Sequence, residues 1–304
     1  MSSNTWLGAC AVSACVFLAC KSGEKTPPPC LGSTPGETAT PSQTPSQTIG
    51  QTPSISGSLT FVWEGKPREL LIDDLLRAQK PVEIEVDDPY YKQKKRYRAL
   101  PLVPAFERGF GKGLAELQRA HFVLEAKDGY QTPIEGQRLL VGDVYLAFAD
   151  LDHASWQPIG PRGADPGPLY VVWVGPGHGN TDVYPHPWAL SRIVASAGPA
   201  ETARTAPPGG FGTNAQAQAG HAIFERRCLH CHSVNRQGGK LGPELNVPQN
   251  VLSYRPEADV RAFIKNPETF RYSAMLPNPD LSETDLDAIV AYLRLMANHQ
   301  DRSP

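Results

Sequence analysis

The stretch Cys228-Leu229-His230-Cys231-His232 decides the fold of the C-terminal part of this chain. A Cys-x-x-Cys pair alone is compatible with a redox dithiol or with half of a zinc site. The histidine directly after the second cysteine is instead typical of covalent haem attachment. In that chemistry each thiol adds across a vinyl group of haem, and His232 lies under the iron as a ligand. The stretch therefore predicts a haem c site.

The flanking residues agree with this prediction. The segment 214–227 predicts a helix with Gly220 and Phe224 on one face, where a glycine permits close approach of another helix. Downstream, Gly242-Pro243 predicts a tight turn whose carbonyl can accept the Nδ1 proton of His232. Such a bond fixes the ring tautomer and raises the basicity of the ligand.

A second ligand and a second helix follow. Met275-Leu276-Pro277 lies in a proline-rich loop, and a thioether is a soft ligand that suits haem iron. The segment 282–296 predicts a helix, because Ser282 and Asp285 form a capping box. The expected buried stripe of this helix consists of Leu286, Ile289, Val290, Leu293 and Met296.

The distal ligand has several candidates. Beyond the initiator the chain has two methionines, Met275 and Met296, and the second lies on the apolar stripe, where methionine is usually core filling. We expect Met275 to be the ligand. The alternative is bis-histidine ligation through His299 or His221. We expect His230, inside the attachment loop, to be a surface side chain.

From about residue 213 to 299 the chain resembles a class I monohaem cytochrome c domain. The matching parts are the Gly220/Phe224 pair, Cys-x-x-Cys-His, Gly242-Pro243, a middle helix around 258–266, Met275 and the last helix. The resemblance implies an all-α domain, placed at 213–304, with one covalent haem c on Cys228 and Cys231. His232 and Met275 would be the axial iron ligands, and Pro243 would orient His232.

The N-terminus predicts export. Residues 6–19 are largely apolar, too few to span a bilayer comfortably but suited to a signal peptide over 1–19. Phe17-Leu18-Ala19-Cys20 resembles a bacterial lipobox, which implies a lipid anchor on Cys20 and a membrane-anchored lipoprotein. Cys15 as the modified residue and a plain cleaved signal are the alternatives. Because haem c is attached outside the cytoplasm, we expect an extracytoplasmic, periplasmic-side protein.

Composition divides the remaining chain. Residues 20–58 are rich in Thr, Pro, Ser and Gln and predict an extended tether, in which we assign Cys30 no role. A glycine- and proline-rich linker is expected at 198–212. The net charge of -2 and the lack of a nucleic-acid motif argue against a nucleic-acid partner.

Residues 59–197 predict a separate α+β domain with a mainly antiparallel sheet. Strands are expected at 59–63, 81–86, 121–126 and 169–174, and a short helix at 70–78. The stretch 169–174 is continuously apolar between Pro168 and Gly175, which predicts a buried strand.

This domain resembles the sulfite-oxidase-type molybdopterin domain in a small form. The motifs are, in order, Leu75-Leu76, Asp88-Pro89-Tyr90-Tyr91, the segment 98–102, Asp128-Gly129-Tyr130, Gly167-Pro168, the strand 169–172 and the segment 188–193. Catalytic members of that family bind molybdenum through a cysteine, and residues 31–227 contain none. We therefore expect no molybdopterin and a non-catalytic docking or binding module.

Two further patterns have competing interpretations. A basic and aromatic patch contains Lys92, Lys94, Lys95, Arg96 and Arg98 among Tyr90, Tyr91 and Tyr97. It is expected to be a solvated hairpin edge, with binding of an anionic partner as the alternative. His178, Asp182 and His186 recur every four residues, but the surrounding glycines and prolines predict a loop and disfavour a metal site.

The leading functional hypothesis is an electron-transfer protein, tethered outside the inner membrane, that exchanges single electrons with redox partner proteins. A Met/His-ligated haem has no open coordination site, which favours this role. The alternatives are a molybdopterin-dependent oxidoreductase with its own cytochrome, and a haem-based sensor in which Met275 leaves the iron readily.

Overall fold

Two β-sheets organise the N-terminal region, residues 55–197. The computed structural model describes residues 55–160, 162–197, 204–270, 273 and 275–301. The predicted signal segment, most of the predicted tether, Cys20 and Cys30 lie outside these residues.

The N-terminal region alternates strands with short helices. Its strands are β1 (Ser58–Trp63), β2 (Lys66–Leu71), β3 (Val82–Asp88), β4 (Gln93–Pro101), β5 (His121–Ala126), β6 (Gln131–Glu135), β7 (Val144–Asp150), β8 (Tyr170–Trp173) and β9 (Leu190–Ser196). Its helices are α1 (Ile72–Ala78), α2 (Leu102–Phe110), α3 (Leu114–Leu117) and α4 (Gly136–Leu139). The sheets have the orders β2-β1-β9-β5-β6 and β3-β4-β7-β8. Among these described strands the β1–β9 pair is parallel and the others are antiparallel, which confirms the predicted α+β fold with mainly antiparallel sheets.

Strands β7 and β8 of the four-stranded sheet are buried on both faces. Leu146 and Val171 belong to the main core, which also contains the aromatic side chains of β1, β5 and α2. Ala147 and Val172, one residue further along each strand, belong to a second cluster on the opposite face. Because side chains alternate between two buried faces, all four residues of β8 are buried, and this explains its continuous apolar run.

The basic patch divides between the two faces of β4. Exposed residues pair across the hairpin or with the loop after β7: Lys94 with Glu85, Arg96 with Asp152, and Arg98 with Glu83. The solvated-edge interpretation holds for these side chains. It is wrong for Lys95, whose side chain is 1% exposed and forms a 2.6 Å ion pair with the fully buried Asp150.

The C-terminal region, from residue 204, is mainly helical. Its elements are α5 (Ala215–Arg227), β10 (Ser233–Val234), β11 (Gln237–Gly238), α6 (Val251–Tyr254), α7 (Glu257–Lys265), a 3-10 turn (Pro267–Thr269) and α8 (Glu283–Ala297). The predicted first, middle and last helices are confirmed, with small shifts at their ends. The two-residue strands add an antiparallel ladder that the sequence did not predict. Within the described part of the chain, no helix has both the length and the apolar character needed to cross a bilayer.

Helices α5 and α8 pack against each other at Gly220. A Cβ built on Gly220 would overlap the main-chain oxygen of Ala288, so only glycine allows this approach. Phe224 fills the adjacent space, 5.2 Å from the ring of Tyr292. The predicted Ser282–Asp285 capping box is present, and every residue of the predicted stripe of α8 is buried.

Three buried asparagines fasten the end of α8 to two loops, Asn235 from the turn between β10 and β11 and Asn246 and Asn250 from the loop before α6. Their side-chain amides donate 2.9 Å hydrogen bonds to main-chain oxygens, Asn235 to His299, Asn246 to Met296 and Asn250 to Leu293. They also bond one another, since Asn246 donates to Asn235 and Asn250 donates to Asn246. These bonds hold the last turn of α8, and His299 just beyond it, in place.

Candidate functional site

The attachment loop begins where α5 ends. The amide of Cys228 donates to the oxygen of Phe224 at 2.8 Å, which completes the helix. The oxygen of Cys228 then accepts from Cys231 at 3.0 Å and from His232 at 2.8 Å. These local bonds form one compact turn that holds both cysteines and the histidine in a fixed arrangement.

His232 is oriented by the turn that follows. Its Nδ1 donates to the carbonyl oxygen of Pro243 at 2.9 Å, the hydrogen bond expected from the sequence. This leaves Nε2 as the ring nitrogen with a lone pair, which is what a metal requires. Burial lowers the pKa of His232, opposed by the bond to Pro243, so the ring is neutral near pH 7. A Cβ on Gly242 would lie 2.5 Å from Cε1 of His232, so glycine leaves the space that the ring occupies.

The two cysteines do not have the properties of an activated dithiol. Both are free thiols and partly exposed. Burial raises the pKa of the Cys228 thiol to about 12, assisted by the charge of Cys231. Burial also raises the pKa of Cys231. Redox dithiols have a lowered thiol pKa, so this pair does not fit that chemistry.

Among the described residues, no group of three or more His, Cys, Asp or Glu side chains is arranged to hold a metal ion, which also disfavours a zinc site.

The methionines occupy different environments. Met296 is fully buried in the C-terminal core, as expected for core filling. Met275 is partly buried and packs against that same core, and Cys228 does so as well. His221 is buried, with its Nε2 3.2 Å from the hydroxyl of Thr205 and its ring against Tyr292. The axial role of Met275 stays a prediction.

His230 is not a free surface side chain, and the sequence-based expectation for it was wrong. Its ring stacks on Tyr130 of the N-terminal region, with centroids 5.4 Å apart and planes 13° apart. Its Nδ1 lies 2.7 Å from the oxygen of Gln131. The contact partner is distant in the sequence, and the Asp128-Gly129-Tyr130 motif that contains it gives no indication of a contact with His230.

The residues His178, Asp182 and His186 do not form a metal cluster within the described chain. His178 lies 3.1 Å from the oxygen of Val174 and packs against Trp173. His186 is 2% exposed and lies edge-on to Tyr90. Burial lowers the pKa of His186 to about 4, so it is a neutral core histidine.

The site fits a covalently bound haem. It offers two unlinked thiols on one turn, a neutral imidazole held through Nδ1, and a thioether on the same hydrophobic core. A protein-family model described as cytochrome c matches residues 217–297, which contain all of these groups. The C-terminal region is therefore a cytochrome c domain, a haem-binding electron-transfer domain.

Two known proteins show how far the similarity extends. Cytochrome c oxidase subunit 2 of Alkalihalophilus pseudofirmus is 33% identical over 90 residues, which is 27% of this chain and 26% of that protein. The chain thus spans about a quarter of the curated relative. Among solved structures, the sulfane dehydrogenase SoxCD from Paracoccus pantotrophus is similar at 17% identity, covering 51% of this chain and 43% of that chain, with a TM-score of 0.28.

Proposed function

We propose that this protein is a membrane-tethered, extracytoplasmic c-type cytochrome. It transfers single electrons between a respiratory or periplasmic redox enzyme and an acceptor. One observation carries the proposal: His232, held by Pro243, directly follows an unlinked cysteine pair inside a cytochrome c domain. The relative named as an oxidase subunit supports a respiratory setting.

Each residue of the site has a separate role in this proposal. Cys228 and Cys231 would hold one haem c through thioether bonds, with His232 and Met275 on its iron. A haem bound in this way supplies reversible one-electron oxidation and reduction. Pro243 keeps the imidazole in one tautomer, and the core beneath the loop excludes water from the site. With a ligand from the chain on both sides, no position is left for a substrate, which suits electron transfer.

The tether and anchor belong to the same proposal. Covalent haem attachment takes place outside the cytoplasm, so the chain requires export, and the apolar start of the sequence suits a signal peptide. A lipid on Cys20 would hold the protein at the membrane, and residues 21–58 would serve as the tether between the anchor and the N-terminal region. Replacing Cys20 with serine should move the protein from the membrane fraction to the soluble fraction; unchanged partitioning would count against a lipid anchor.

The N-terminal region would act as a module that binds a redox partner. Residues 31–227 contain no cysteine, the residue through which catalytic members of the sulfite-oxidase type hold molybdenum. Metal analysis of the purified protein should give one iron per chain and no molybdenum. About one molybdenum per chain would favour the oxidoreductase instead.

The axial assignment is tested with two methionine variants. The ferric protein should show a weak near-infrared band typical of sulfur–iron bonding, and Met275→Leu should abolish it. Met296→Leu is the matched control, since this side chain lies fully within the core. Loss of the band in the control alone, or its absence from the parent protein, would refute Met275 as ligand.

A further inference from the structure

The attachment loop occupies the free edge of a sheet in the N-terminal region. Strand β6 is the last strand of its sheet, and the oxygen of Tyr130 accepts from Ala126 of β5 at 2.9 Å. Main-chain groups alternate in direction along a strand, so those of Gln131 point away from the sheet. His230 satisfies both of them. Its oxygen accepts from the Gln131 amide at 2.9 Å, and its Nδ1 lies 2.7 Å from the Gln131 oxygen.

A second group of contacts adjoins this edge. The Lys240 amide donates to the oxygen of Gly129 at 2.9 Å. Gly129 has a φ of +89°, and a Cβ there would lie 3.1 Å from Cβ of Lys240. Glycine therefore serves both the turn and the close approach. The turn is closed by Asp128, whose carboxylate accepts from the Tyr130 amide at 3.0 Å.

The contacts share one property. They are made by main-chain groups of residues 129–131 and by one stacked ring pair, so they recognise the shape of the attachment loop rather than a charge. Each edge group that the loop covers would otherwise be an open hydrogen-bonding site. Tyr130 supplies the side chain of this contact, and its own pKa is raised by burial.

We propose that residues 128–131 form an intramolecular dock that positions the attachment loop and excludes water from the part of that loop that would carry the haem. This inference rests on the proposed function. Tyr130 is a positioning residue, because it acts on Cys231 and His232 through His230. Water stabilises the more highly charged ferric form, so shielding raises the reduction potential, and opening the dock should lower it.

The test combines hydrogen exchange with redox titration of the full-length haem protein. Tyr130→Ala removes the stacked ring, and Tyr130→Phe retains it. Removing an aromatic pair of this kind changes an equilibrium constant about fivefold, here the constant between the docked and the open attachment loop. Exchange protection of the Gln131 and Lys240 amides should therefore fall about fivefold in Tyr130→Ala and stay at the parent level in Tyr130→Phe. The reduction potential should be lower in Tyr130→Ala than in the parent protein and should equal the parent value in Tyr130→Phe.

Two controls separate the dock from a general loss of structure. Tyr254→Ala truncates a tyrosine that is 50% exposed in α6 and should change neither readout. The Gly242 amide donates to Cys231 within the cytochrome domain at 2.7 Å, and its protection should not change. His230→Leu removes the same stack and also the 2.7 Å contact of Nδ1 with the Gln131 oxygen, so both readouts should fall at least as far as in Tyr130→Ala. This variant keeps the proposal testable if Tyr130→Ala does not fold.

Several results would overturn the dock. Parent-level protection and potential in both Tyr130→Ala and His230→Leu would do so, as would an equal effect of Tyr254→Ala. A drop in Tyr130→Phe as large as that in Tyr130→Ala would show that the stacked ring is not the cause. If the chain takes up no haem, the proposed function fails, but the exchange measurement on the same chain still reports whether the dock exists.

Discussion

Replacing Gly220 with alanine should destabilise the cytochrome domain although alanine is the better helix former. The new Cβ would overlap the main-chain oxygen of Ala288, and a backbone atom cannot rotate away. Overpacking of this kind costs about 1–3 kcal/mol, and a backbone neighbour places it toward the upper end. The gain in helix propensity offsets about 1 kcal/mol. The expected net loss in the free energy of unfolding is about 2 kcal/mol.

The measurement is denaturant unfolding of the haem protein, followed by far-ultraviolet circular dichroism and by Soret absorbance. Ala219→Gly is the matched control, because Ala219 is exposed on the same helix and reports propensity alone. It should lose about 1 kcal/mol. A Gly220→Ala variant as stable as the parent would refute the reasoning, since α5 and α8 would then separate at no cost.

Three further predictions concern other positions. Lys95→Ala leaves the buried carboxylate of Asp150 without its ion-pair partner and should lower the free energy of unfolding by about 3 kcal/mol in the same denaturation assay. Lys94→Ala, which removes an exposed ion pair, should have no measurable effect. Asn246→Ala removes donors to a helix carbonyl and to a neighbouring amide oxygen; calorimetry should show a loss of about 2 kcal/mol. Gly242→Ala should displace the imidazole of His232, the proposed iron ligand, and reduce haem incorporation, measured as the Soret-to-protein absorbance ratio. Gly113→Ala, whose Cβ meets open space, should match the parent.

Features whose signal lies within one short segment could be predicted from the sequence. Helix α8 has its capping box and its apolar period within a single segment, and the structure reproduces both. The site turn is also local, because Pro243, the partner of His232, lies eleven residues further on. Strand β8 could be predicted because a sheet buried on both faces leaves an uninterrupted apolar run.

The errors arise where a distant partner decides the environment. Lys95 lies in a run of basic residues and looks solvated, but Asp150 comes from another strand and takes it into the core. His230 looks exposed, but the edge at Gln131 covers it through main-chain atoms, which leave no trace in side-chain patterns. The asparagine row could not be predicted for a related reason, since single asparagines in loops usually indicate turns rather than bonds to a helix end.

The parallel pairing of β1 with β9 has a consequence for folding kinetics. One edge of the first strand pairs with the local strand β2, but its other edge pairs with the last strand, with Phe61 opposite Ile193, so this second pairing forms only after roughly 130 intervening residues have been made. Contacts of such long sequence separation slow folding, because loop closure precedes the gain from pairing. Newly synthesised chains can pair β1 with β2 early, but the other edge of β1 stays open until β9 has been made, and an open strand edge is prone to intermolecular pairing.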